Sequence, residues 1–161
     1  MPRKLGLLNY TTEISPEKSA QEILIILAHH RARKVLTEFD KDGFISGISF
    51  IADTPQGEVV FRMPIDVGAI LKVLERQKRE GKIRITVNED RARKVAWRIM
   101  KDWVESQMAI IETEMVKLEQ VFLPYAVVRD GQTLFEVIRE TKFQLPGGKE
   151  GEFKEVPDGS R

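Results

Sequence analysis

The chain has 161 residues, room for one folded domain, and its 42% hydrophobic and 32% charged residues exclude a wholly disordered polymer. It holds no cysteine, which removes disulfides, thiol catalysis, iron–sulfur clusters and cysteine zinc sites, and no apolar run approaches the roughly 18 residues that span a bilayer. The formal net charge of +1 hides segments of opposite sign: residues 1–71 carry 8 Lys/Arg against 9 Asp/Glu, residues 72–101 carry 11 against 4, and residues 102–161 carry 7 against 12.

The opening MPRKLGLLNYTTEIS lacks the long apolar core of a secretion signal, so a cytoplasmic location is the expectation. Ser15-Pro16-Glu17 then signals a helix start. The serine can cap, the proline lacks the N–H that would be orphaned at the first helical position, and the acid suits the dipole. This helix is expected over 16–30, with Ala20, Ile23, Leu24, Ile26, Leu27 and His30 on its apolar side. From Arg33 to Met63 the period changes to two, and three strands are expected. Asp40-Lys41-Asp42-Gly43 and Thr54-Pro55-Gln56-Gly57 supply turns between them, which makes an antiparallel meander.

Asp66 can cap a second helix, expected over 66–80 and ended by Gly81. Its apolar side is Val67, Ile70, Leu71 and Leu74, and its other side gathers Lys72, Arg76 and Arg79. Lys82 to Val87 alternates again, with Ile83, Ile85 and Val87 on one side, and reads as a fourth, short strand. Asn88 caps the longest expected element. No proline or glycine interrupts Glu89 to Leu123, so one helix over 89–123 would make a rod of about 50 Å. Its apolar residues cover about half the wheel, wider than an ordinary surface stripe. The distal half, residues 104–122, therefore calls for a second partner: a short helix at Leu134–Arg139, or the same helix of another copy. Thr133 and Glu136 have capping-box spacing, which supports the short helix. Residues 144–161, rich in glycine, proline and charge, are expected to be a disordered tail beyond a single α+β domain over 1–143.

The expected fold is thus α+β: a three- to four-stranded antiparallel sheet, two covering helices and a long C-terminal helix. On the last, Arg91, Lys94, Arg98 and Lys101 share an arc of about 80° and form a basic ridge. Cations near a helix N-terminus oppose the dipole, so the ridge is either relieved by local ion pairs or kept for an anionic partner. Trp97 lies at the edge of the apolar arc beside Arg93, where it could stack on a base, whereas Trp103 falls inside the arc as core. The pentapeptide Arg31-Ala32-Arg33-Lys34-Val35 recurs as Arg91-Ala92-Arg93-Lys94-Val95, in different structural contexts and so not as a repeat unit.

His29-His30 is no metal pair, because adjacent helical positions point about 100° apart and no ligand stands at i+4. No phosphate-cradling loop, nucleophile elbow or paired-carboxylate arrangement is present, so an enzyme is not expected, and no cofactor or metal is implied.

The order helix, three-strand meander, helix resembles a double-stranded-RNA-binding domain in topology. That family places Lys-Lys-x-Ala-Lys at the start of its second helix, where this chain has Asp66-Val67-Gly68-Ala69-Ile70, so its binding residues are not carried over. Between Asn9 and Tyr125 the runs NYTTEISPEKSAQEI, DGFISGISFIADTPQGEVVFRMPI and KVAWRIMKDWVESQMAIIETEMV resemble small uncharacterised proteins of bacteriophages and integrated mobile elements. The resemblance implies a setting in phage or mobile-element DNA metabolism or host interference, and no functional residue.

The function expected from the residues is non-catalytic binding of nucleic acid through backbone phosphates. Lys72, Arg76, Arg79, Arg84, Arg91, Lys94, Arg98 and Lys101 would neutralise phosphate, and Trp97 would stack. The competing expectation is a homo-oligomeric interaction module, such as an inhibitor of a host factor, assembled through the long helix. DNA versus RNA and strandedness stay open at this point, as does whether the cations share one surface.

Overall fold

The computed structural model describes residues 5–143. In chain order the elements are α1 (Pro16–His29), β1 (Ala32–Phe39), β2 (Ile45–Thr54), β3 (Gly57–Arg62), α2 (Val67–Arg79), α3 (Glu89–Glu112), α4 (Leu118–Phe122), a 3-10 turn (Leu123–Tyr125), β4 (Val127–Arg129), β5 (Gln132–Thr133) and α5 (Leu134–Glu140). The fold is α+β, with a β1-β2-β3 antiparallel sheet and a second, two-stranded sheet of β4 and β5. None of the helices described is long and apolar enough to cross a membrane.

Local chemistry explains most boundaries. Ser15 accepts a hydrogen bond from the Lys18 amide at the start of α1, and His30 closes it, its Nδ1 donating to the Ile26 carbonyl at 2.7 Å. The Asp40 carboxylate accepts from the amides of Asp42 and Phe44 in the β1–β2 turn, and Gly43 there takes a φ of +82° that side chains resist. The capping box of Thr133 and Glu136 starts α5 as its spacing predicts.

One face of the sheet is the core. Ile48, Phe50 and Ala52 of β2 and Phe61 of β3 meet Ala20, Ile23 and Leu27 of α1, and Trp97, Met100, Val104 and Met108 of α3. At its centre the rings of Phe50, Phe61 and Phe122 stand 5.2 to 6.0 Å apart. A second, smaller cluster joins Leu74 of α2, Ile83, and Ala92 and Val95 of α3. The half-wheel of apolar residues on α3 is thereby explained: one flank meets the sheet and α1, the other meets α2.

Three expectations need correction. The helix expected over 89–123 stops at Glu112: the Thr113 hydroxyl donates to the Ile110 carbonyl at 2.6 Å, and Glu114 adopts a φ of +61°. A left-handed residue costs about 1–2 kcal/mol, whereas turning the chain back buries Phe122 completely and Leu118 nearly so, at about 1.5–3 kcal/mol each. The reversal wins, and Val104, Met108, Leu118 and Phe122 share one core within the chain, while Met115 stays 71% exposed.

Lys82–Val87 forms no strand, although its alternation is real. Ile83 is buried with Leu74 of α2 and Ala92 and Val95 of α3, and Ile85 and Val87 pack beside it, in a cluster separate from the sheet core. Helix α2, expected to cover the sheet, packs chiefly on α3. The hairpin of β4 and β5 was not expected, yet Asp130 and Gly131 take φ of +45° and +74° between its strands, the usual chemistry of a tight hairpin turn. The bridge from Phe61 to Ala126 joins it to β3. The expected tail over 144–161 lies outside the described residues.

Candidate nucleic-acid interface

The nine residues expected to contact nucleic acid divide into three groups. Asn88 caps α3 by accepting from the Arg91 amide, and this sets the basic ridge on the side where the N-terminal segment and α1 run past. Every cation of the ridge is met by a carboxylate. Arg91 bonds the Glu13 carboxylate at 2.5 Å and the Thr12 carbonyl, and Lys94 lies 3.3 Å from both Glu13 and Asp90. Arg98 reaches Glu22 of α1 at 2.7 Å. Lys101 pairs with Glu105 and stands 3.7 Å from Asp102.

The four side chains are only 13–22% exposed. Their fields are largely neutralised before they reach solvent. The hydrogen bonds from Arg91 and then Lys94 hold the Glu13 carboxyl below its ordinary range, while Asp90 and Glu13 hold the Lys94 ammonium above its own.

Trp97 is fully buried among the residues of the main core. It therefore presents no face on which a base could stack, which corrects the role expected for it. Trp103, placed in the core by its position on the wheel, is only partly buried and packs edge-on against Phe122 and Tyr125 at 5.5 and 5.6 Å.

The third group behaves differently. Lys72, Arg76 and Arg79 occupy an arc of about 60° on α2, at about 100° per residue, opposite the buried Leu74, and all three are exposed. Arg84 is exposed on the segment that follows. Among the described residues none of these four forms an ion pair.

The chain leaves α2 through Gly81 at φ +66°, with the Lys82 amide donating to the Gln77 carbonyl at 2.9 Å, a glycine-terminated helix end. Glu80 there pairs with Lys82 at 2.6 Å. That hydrogen bond, with the fields of Lys82, Arg76 and Arg79, holds the Glu80 carboxyl below its ordinary range. Cations in the last turn also suit the helix dipole, which accounts for Arg76 and Arg79 but not for Lys72 one turn earlier.

A sequence signal for the split does exist. Glu13 and Glu22 lie on the segment and helix that must pass α3, but only tertiary packing shows that they reach it. The N-terminal segment is held there by further bonds, Asn9 Nδ2 to Asp102 at 2.7 Å and the Leu7 amide to Gln77 at 2.9 Å.

A cleft of about 880 Å³ lies apart from these cations, where the end of α1, the β2–β3 turn and the α3–α4 turn meet. His30, Arg31, Glu112 and Lys117 mix both signs along its walls. No group of three or more His, Asp or Glu able to hold a metal occurs among the described residues.

The fold and surface define a small α+β protein with one cationic helix face open to solvent and one basic ridge closed by its own carboxylates. Compared with protein-family models, curated proteins and solved structures, the chain matches none.

Proposed function

We propose that the chain is a non-catalytic nucleic-acid-binding accessory protein that contacts phosphates through the open face of α2, using Lys72, Arg76 and Arg79, with Arg84 beside them in sequence. The observation that carries the reading is the contrast in pairing: these cations are exposed and lack carboxylate partners among the described residues, whereas those of α3 are neutralised. Unpaired cations on one helix face can each displace a condensed counterion from a nucleic-acid backbone, a gain that does not depend on base sequence. With no exposed tryptophan beside them, the track favours duplex or structured backbone over stacked single strands. A setting in phage or mobile-element DNA metabolism, with a cytoplasmic location, is part of the same proposal.

A fluorescence-anisotropy titration with single-stranded and duplex DNA and RNA at two salt concentrations tests this. Four phosphate contacts predict a slope of log affinity against log salt of about −3 to −4. Absence of binding to all four polymers would refute the reading, as would binding untouched by Lys72→Gln/Arg76→Gln/Arg79→Gln/Arg84→Gln. Assembly through the long helix has no comparable support, since Val104 and Met108 of its distal half already share a core with Leu118 and Phe122 of α4.

A further inference from the structure

Strand β1 is an edge. It pairs with β2 on one side, and among the described residues no strand lies on the other. Its ladder with β2 is regular from Lys34 to Glu38 and is interrupted at both ends, between Ala32 and Lys34 and between Glu38 and Phe39. Alternation sends Lys34, Leu36 and Glu38 to the face of the sheet away from the helices. Leu36 is 62% exposed there, and Glu38 lies across Gly47 of β2, where a side-chain carbon would meet its carboxylate at 2.6 Å.

An open edge of regular backbone carrying an exposed leucine is a hazard that proteins blunt or use. Lys34 alone would serve as a blunting charge. Its spacing to Glu38 on the same face makes the edge complementary to itself.

We infer that a second copy of this chain pairs antiparallel along β1, with the two-fold axis at Leu36. Residues opposite one another in such a pair lie on the same face, so a two-fold at Leu36 sets Leu36 against its own counterpart. It sets Lys34 of each copy against Glu38 of the other, one opposite-charge pair on either side of the apolar centre. On the inner face the half-buried Val35 and Thr37 of the two copies meet in the same way. The interruptions at either end of the ladder confine the pairing to this stretch, and its midpoint is Leu36. The two three-stranded sheets become one continuous sheet, and the unpaired N–H and C=O groups of the edge are satisfied.

The helix layer fits the same axis. Helix α1 lies over β1 and β2. With strands about 4.8 Å apart, a helix above that pair stands about 5 Å from the two-fold, and two copies stand about 10 Å from one another, ordinary helix packing distance. Glu22 faces α3 through Arg98, and Leu24, two positions on, is rotated by about 200° from it. Leu24 thus lies on the flank turned away from α3, and it is 42% exposed. The dimer would bury it.

Sedimentation equilibrium of the full chain in the micromolar range reads the outcome, with circular dichroism to confirm that each variant is folded. The wild type is expected to be a dimer. Lys34→Glu alone and Glu38→Lys alone each place like charges opposite one another twice per dimer and should weaken it by about tenfold. An equimolar mixture of the two single variants restores both opposite-charge pairs and should form a heterodimer, as should the Lys34→Glu/Glu38→Lys double variant with itself. A monomeric wild type would overturn the inference, whether the edge stays bare or another part of the chain covers it. A dimer indifferent to both single variants would place the contact elsewhere and overturn it as well. Nucleic-acid binding through α2 is read separately, so neither result decides the other.

Discussion

Helices α2 and α3 carry basic stripes of similar density, and the structure treats them in opposite ways. On α3 the stripe faces elements that bring acids: Glu13 from the N-terminal segment, Glu22 from α1, and Asp90, Asp102 and Glu105 from the helix itself. On α2 the stripe faces outward, and its buried flank is turned to α3. A run of lysine and arginine is therefore a field only where no neighbouring carboxylate can reach it. The α3 stripe works as an internal fastening that holds the N-terminal segment and α1 in place.

The largest effect that sharpens this contrast concerns Trp97. A stacking residue would tolerate truncation, whereas a fully buried indole should cost about 3–5 kcal/mol when replaced by alanine. Urea unfolding of Trp97→Ala measures it, and a loss below about 1 kcal/mol would contradict a core role.

Next comes the binding difference. Lys72→Gln/Arg76→Gln/Arg79→Gln/Arg84→Gln should flatten the salt dependence by about 3 in slope, while Arg91→Gln/Lys94→Gln/Arg98→Gln/Lys101→Gln should leave most of it. Equal losses from the two sets would erase the distinction between the helices.

Stability should divide the other way. Removing the α3 cations breaks several pairs at once and should cost about 1–2 kcal/mol in total, against about 0.5 kcal/mol or less for the exposed α2 set. Thermal unfolding followed by circular dichroism compares them.

The smallest effect belongs to Glu13. Its carboxyl is held below the ordinary range by Arg91 and Lys94, so the fastening is present above the usual carboxylate range and is lost as pH falls through the lowered value. Hydrogen exchange at the Leu7 amide, taken relative to its intrinsic rate at each pH, should therefore speed up only below the usual carboxylate range. Glu13→Gln should produce the same acceleration at neutral pH, together with a gain in polyanion affinity of about twofold as Arg91 loses its carboxylate partner while Lys94 keeps Asp90. Exchange unchanged in the variant would show that Asn9 and Leu7 hold the segment without it.

Much of the fold was legible because its signals are local. Ser15-Pro16, Asp66, Asn88 and the Thr133–Glu136 box each act within one turn of backbone, and strand alternation from Arg33 to Met63 follows from sheet geometry alone. The break after Glu112 was not legible, since Thr113 and Glu114 are permissive residues that turn only because Phe122 is buried by doing so. Nor was the fate of Lys82–Val87, whose period-two pattern meets helices where strand pairing would have required an edge. The Asp130-Gly131 hairpin was written in the chain as plainly as the other turns, and its neighbours Val127 and Val128 were the missing half of the signal. Of the expected interface, the α2 cations keep an exposed position, the α3 cations are paired, and Trp97 lies in the core, because rotation about one helix axis cannot say which neighbour fills each direction.

By itself the sequence determined the caps, the turns, the meander and the concentration of positive charge between residues 72 and 101, all set by interactions a few residues long. Tertiary structure alone decided where the long helix ends, which basic stripe stays open to solvent and which edge of the sheet remains unpaired. Those outcomes depend on residues distant in sequence meeting in space, and on burial energies of a few kcal/mol that outweigh the local preferences.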